Sequence, residues 1–155
     1  MDGIFKYIAT LGFIGYLPPA PGTFGTLFGF LILIVLKPPV FIHILILLII
    51  IPVGVIASHR AEALLNERDS RRIVIDEFCG FFFSLLFVPF SIATSLIAFF
   101  LFRLFDILKP FPIRAIESSL SGGIGIMADD IIAAAYTNII LRIILAVNPS
   151  VVDLL

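Results

Sequence analysis

The chain has 155 residues, of which 61% are hydrophobic and only 14% charged, with a formal net charge of -1. This composition excludes an ordinary soluble domain and predicts a single all-α, membrane-embedded domain over residues 1–155, in which the placement of Lys and Arg matters more than their sum. No basic tract is able to neutralise many phosphates, so no nucleic-acid partner is expected, and the single Cys79 excludes an internal disulfide. The first residues lack a charged segment followed by a small-residue cleavage site, so no removable leader is expected.

In chain order, residues 3–16, GIFKYIATLGFIGY, are apolar but short and interrupted, which predicts a helix lying along the membrane surface. LPPAPGTFGTL follows, where Pro18, Pro19 and Pro21 forbid a regular helix and Gly22 and Gly25 permit tight turns. A helix is expected from Thr23, which would cap it, to the Lys37-Pro38-Pro39 turn. A second apolar run leads on from Val40, kinked or loosened near Pro52 and Gly54. Residues 58–77 form a polar loop with Arg60, Arg68, Arg71 and Arg72, which the positive-inside tendency places in the cytoplasm.

Residues 78–102, rich in Phe, would extend about 37 Å as one helix, and would then set the flanking polar stretches on opposite faces of the bilayer. A hairpin turning at Pro89, with arms of roughly 11 to 13 residues, returns the chain to its starting side and requires a re-entrant element or local thinning. A last span is expected to begin at Asp129-Asp130, with Ala133, Ala134 and Ala135 allowing close helix approach and Arg142 near the far interface. The layout has about five membrane segments, a polytopic bundle with its carboxyl terminus outside.

Charge gathers between Arg103 and Asp130, which include Arg103, Asp106, Lys109, Arg114, Glu117, Asp129 and Asp130. The fold-back brings this stretch beside Asp76 and Glu77. Carboxylates at close quarters repel one another unless protonated or bridged, and oxygen donors of this kind suit hard divalent ions, so one or two Mg2+ are expected. Arg103, Lys109 and Arg114 suit an anionic group, and SGGIGIM reads as a flexible loop able to turn backbone N–H groups toward it. Together these point to phosphate chemistry. Plainer readings stand beside it: Asp129-Asp130 as a helix cap, the arginines of 58–77 as topology determinants, His43 and His59 as structural, and Cys79 as a packing residue.

Four segments, LPPAPGTFGTL (17–27), IDEFCG (75–80), FRLFDILKPFPIR (102–114) and GGIGIMADD (122–130), carry a resemblance to the phosphatidylglycerophosphatase A family. Thr26 stands where a serine is common, and Ala134 where a glycine is. The resemblance implies a magnesium-dependent enzyme of the bacterial inner membrane, its site facing the cytoplasm, hydrolysing the terminal phosphate monoester of phosphatidylglycerophosphate to phosphatidylglycerol. It implies Asp76, Glu77, Asp106, Asp129 and Asp130 as metal or catalytic acids, and Arg103, Lys109, Arg114, Thr23, Gly122 and Gly123 as phosphate-binding residues. Motifs for a covalent phosphoenzyme are absent, which favours attack by water. The rival reading is a cation transporter or channel with a carboxylate-lined entrance, disfavoured because the acids fall at one predicted interface and none midway through a span.

Overall fold

Proline and residues in the left-handed region set the ends of the long helices in the computed structural model, which describes residues 2–153. Helix α1 (Asp2–Ala9) is followed by a 3-10 turn, Ile14–Tyr16. Helix α2 (Pro21–Leu36) starts with proline in its first turn, where no N–H is needed, and stops at Lys37 with φ 39° before Pro38-Pro39. Helix α3 (Val40–Leu65) runs on through Pro52 and ends at Asn66 with φ 50°. Helices α4 (Ile75–Ser84), α5 (Ile92–Leu108), α6 (Ile113–Ser119) and α7 (Gly122–Val147) follow, then a 3-10 turn, Pro149–Asp153. The described residues contain no strand, and the all-helical expectation holds.

The chain doubles back as expected, α4 and α5 being joined by residues 85–91 around Pro89. The arms are unequal, 10 and 17 residues, since α4 stops at Ser84 and α5 runs on to Leu108. A capping box fixes the start of α5, where Thr94 N–H donates to Ser91 Oγ at 3.2 Å and Ser91 N–H to Thr94 Oγ1 at 2.9 Å. The end of α4 meets polar side chains on neighbouring helices. His43 Nε2 donates to Phe82 O at 2.9 Å, and Asn138 Nδ2 donates to Ser84 O at 2.9 Å and Leu86 O at 2.8 Å. Arg142 Nε donates to Asn138 Oδ1 at 2.8 Å, so this arginine braces the hairpin turn. These bonds satisfy carbonyls that a short helix ending among apolar side chains would otherwise leave bare. His43 is structural, as read from the sequence.

Helices α4 and α7 form the axis. α7 packs against α3, α4, α5 and α6, while α4 also meets α2 and α3. Phe81, Phe82, Phe102, Leu33, Ala98, Ala133 and Ala134 make the larger core, and Cys79 is buried in a second one with Ala57, Ala61 and Met127. Gly80 lets the axis helices close: a Cβ there would come within 2.7 Å of Phe102 Cζ and 3.2 Å of Asp130 O. The outward faces stay apolar, with Phe41, Leu48 and Ile49 of α3 and Ile139 and Ile143 of α7 exposed. Among the described residues, α3 and α7 are long and apolar enough to cross a membrane, and α2 is apolar but shorter.

Three sequence expectations need correction. α2 begins at Pro21 with Ala20 at its N-cap, so Thr23 lies inside the first turn and is not a cap. The polar stretch is loop only at 66–74, because the helix-favouring residues of HRAEALL carry α3 onward to Leu65. SGGIGIM is not a flexible loop: α7 begins at Gly122, and Gly123 packs so tightly on Val55 O and on His59 N of α3 that a side chain would collide there. Asp129 and Asp130 therefore sit two turns inside α7 instead of opening it.

Candidate active site

Local signals place each acid. Asp76 and Glu77 occupy the first turn of α4, where the positive end of the helix dipole favours carboxylates. Arg103 and Asp106, one turn apart near the end of α5, share a face, and Asp129 and Asp130 project from α7 two turns after its start. Because α4 and α5 run in opposite directions and both lie along α7, these pairs meet at one end of the bundle. The first turn of α2 covers them: a Cβ on Gly22 would run into the Glu77 carboxylate and come within 3.4 Å of Arg103 Nη1.

At the centre, one carboxylate oxygen from each of Asp76, Glu77 and Asp130 lies within 4.8 Å of the other two. Asp130 is 2% and Asp129 8% exposed. Asp76 Oδ1, Glu77 Oε2, Asp129 Oδ1 and Asp130 Oδ2 are buried without a hydrogen-bond partner among the described residues. Several buried anions with bare oxygens are strongly unfavourable unless a cation or protons compensate them. The donor set is all oxygen and fits a hard divalent cation.

The other two acids are held by cations. Arg103 Nη1 lies 2.6 Å from Asp106 Oδ2, 3.7 Å from Glu77 Oε1, and donates to Thr26 Oγ1 at 3.4 Å. Lys109 Nζ donates to Asp129 Oδ2 at 2.8 Å and Glu117 Oε1 at 2.6 Å. Burial alone would lower the Lys109 pKa, but its bonds to Asp129 and Glu117 outweigh that and hold it above the ordinary lysine value. Lys109 is therefore an ammonium throughout the physiological range.

The expected phosphate-binding residues are divided by the structure. Arg103 and Lys109 stand beside the acids, and Thr23 is half-buried next to Gly22. Arg114 is exposed on α6, in a groove lined by Leu108, Lys109, Phe111, Ala115 and Ser118. Gly122 and Gly123 lie about 10 Å along α7 from Asp129 and pack against α3, and Gly122 lines a cavity that extends to Glu117 and Asp129 without reaching Asp76, Glu77 or Asp130. Sequence reasoning missed Gly22, Thr26 and Glu117 as parts of the site. The i,i+4 spacing of Gly22 and Thr26 was a usable signal, since Thr26 Oγ1 donates to Gly22 O at 3.0 Å and turns both toward Arg103. Nothing local marks Glu117 as the partner of Lys109.

The family model described as phosphatidylglycerophosphatase A matches residues 7–145. The chain belongs to this family. Phosphatidylglycerophosphatase A of Haemophilus influenzae is 38% identical over 138 residues, covering 86% of this chain and 85% of the relative. Phosphatidylglycerophosphatase A of Escherichia coli is 33% identical over 137 residues, with 84% and 78% covered. A Bacteroides thetaiotaomicron relative, named provisionally as a phosphatidylinositol-3-phosphatase, is 34% identical over 142 residues, with 83% and 86% covered. No solved structure matches. All four segments that carried the sequence resemblance lie inside the phosphatidylglycerophosphatase A match.

Proposed function

We propose that this protein is a phosphatidylglycerophosphatase, a phosphoric monoester hydrolase that removes the terminal phosphate of phosphatidylglycerophosphate to leave phosphatidylglycerol and inorganic phosphate. Family membership supports the substrate. The observation that carries the chemistry is the convergence of Asp76, Glu77 and Asp130, with unpartnered oxygens, beside two cations that are themselves fixed.

Asp76, Glu77 and Asp130 are the residues that would hold Mg2+, with Asp106 and Asp129 as their immediate neighbours. When bound, the ion supplies Lewis-acid stabilisation of charge on the phosphoryl oxygens and lowers the pKa of a coordinated water. The protein's own groups do the rest. Asp106 keeps the Arg103 guanidinium at the acid cluster, and Asp129 with Glu117 keeps Lys109 charged, so positive charge is in place before the transferring oxygens develop their negative charge. Thr23, in the first turn of α2, offers a hydroxyl at the same end of the bundle. A water attacking phosphorus in line would give its proton to a carboxylate of this set while the bond from phosphorus to the glycerol oxygen breaks. That oxygen takes up a proton to leave as the hydroxyl of phosphatidylglycerol.

The same reading gives the membrane arrangement. Residues 1–155 form a single domain in which α3 and α7 cross, α2 and the two arms of the α4–α5 hairpin complete five segments, and α1 lies at the surface. The start of α2, the end of α3, the start of α4, the end of α5 and the start of α7 then share one face, with Arg60, Arg68, Arg71 and Arg72 beside them, the cytoplasmic face of the inner membrane by the positive-inside tendency. Purified protein in mixed micelles should release inorganic phosphate from phosphatidylglycerophosphate, lose that activity on chelation and regain it on adding Mg2+. Full activity in excess chelator, or no release from this lipid, would refute the assignment.

A further inference from the structure

Arg103 and Lys109 are engaged by carboxylates, whereas Arg114 has no carboxylate within 4.0 Å among the described residues. It projects from the second position of α6 into a groove of about 460 Å³ whose wall includes Lys109, the residue bonded to Asp129. The groove therefore runs directly up to the charged site. Its remaining rim is apolar: Phe111 is 85% and Leu108 58% exposed, and Ile107 and Leu104 continue the exposed apolar strip along α5. The short turn that presents Arg114 is anchored to α7, since Tyr136 Oη donates to Phe111 O at 2.9 Å.

An unneutralised guanidinium between a charged site and a lipid-facing apolar strip matches the order of groups in a lipid bearing two phosphates: reacting monoester, three-carbon bridge, phosphodiester, acyl chains. Resting on the reading above, we infer that Arg114 binds the non-reacting phosphodiester of the lipid, with Leu108 and Phe111 against the start of its acyl chains, and so selects a substrate carrying a diester beyond its terminal phosphate. The planar guanidinium grips two diester oxygens in a fork, which a lysine cannot reproduce. The diester is unchanged by the reaction, so binding it contributes equally to the ground state and the transition state and registers mainly in KM.

The two products of the reaction separate the two phosphates, since phosphatidylglycerol keeps the diester and inorganic phosphate stands for the monoester. In Arg114→Gln, the inhibition constant for phosphatidylglycerol should rise roughly 10- to 100-fold, the worth of charged hydrogen bonds. The constant for inorganic phosphate should stay within about twofold, KM for the lipid should rise far more than kcat falls, and Arg114→Lys should recover only part of the loss. Parallel weakening of both inhibitors would place Arg114 on the reacting phosphate and overturn the inference. No change in either, or wild-type protein that phosphatidylglycerol does not inhibit, would overturn it equally. Wild-type protein that releases no phosphate at all fails the assigned activity itself, a distinct outcome that removes this inference with it.

Discussion

Asp130 is 2% exposed, yet its Oδ2 has no partner, and its closest polar neighbours include two more carboxylates, Asp76 and Glu77. Replacing it by Asn keeps the shape and removes one charge from a crowded anionic cluster. Phosphate release by Asp130→Asn should fall at least about 100-fold, whereas thermal stability in chelator should hold or rise, because repulsion is relieved. Near-normal turnover would show that Asp130 is not a ligand. Gly22 makes a steric counterpart. Gly22→Ala pushes a methyl group into the Glu77 carboxylate and should cost on the order of 100-fold in kcat/KM, the effect of a small misplacement of reacting groups. Gly3→Ala, where nothing lies within 4 Å, should leave the rate unchanged. Both variants can be read from phosphate release by protein matched for membrane insertion. The carboxylates were legible in the sequence because acids are rare in so apolar a chain; the role of Gly22 was not, since its meaning is a collision with a residue 55 positions away.

At the scale of elements, the α4–α5 hairpin decides whether there is a site at all. Its turn was legible because Pro89 interrupts a Phe-rich run too long to be one comfortable helix. Its polar support was not, because His43, Asn138 and Arg142 come from α3 and α7. Asn138→Leu removes the donor to Ser84 O, while Leu86 O keeps the Arg142 Nη2 donor at 3.3 Å, and should destabilise the fold by about 1–3 kcal/mol, the cost of leaving the buried Ser84 acceptor unmet. The measurement is thermal unfolding in detergent, where an unshifted midpoint would show that water or another side chain takes over. The helix starting at Gly122 tells a related story. Glycines read as flexibility in a one-dimensional sequence, but Gly123 and Gly125 serve close packing, against α3 and against Leu120, and the helix forms through them.

For the whole molecule, the acids and most of the charge gather at one end and the outward helix faces are apolar, which is the arrangement an enzyme needs when its substrate stays in the bilayer and its second reactant is water. In a Cys79→Ser background, cysteine placed at Phe90 in the hairpin turn should react with an impermeant maleimide from the same side as cysteine at Lys37, and from the opposite side to cysteine at Arg68. Labelling of position 90 from the Arg68 side would make the hairpin re-entrant and reduce the proposed five segments accordingly. Depth matters as well: Asp129 and Asp130 lie two turns within α7, so the acids share one end of the bundle but are not confined to its rim. That removes part of the sequence argument against a cation path. Family membership and the fixed cations beside the acids favour the hydrolase.

Hydropathy and helix periodicity are properties of neighbouring residues, so the sequence alone determined an all-helical, membrane-type chain, the scarcity and clustering of its charges, and the four segments by which its family could be named. Which acid faces which cation was decided only by tertiary structure. Arg103 goes to Asp106 and Glu77, Lys109 goes to Asp129 and Glu117, and Arg114 is left with neither. Those pairings depend on how α4, α5, α6 and α7 pack across separations of up to 26 residues between the partners themselves, and no local rule encodes such distances. Long, flexible charged side chains choose partners by proximity in space, and proximity exists only once the helices have closed.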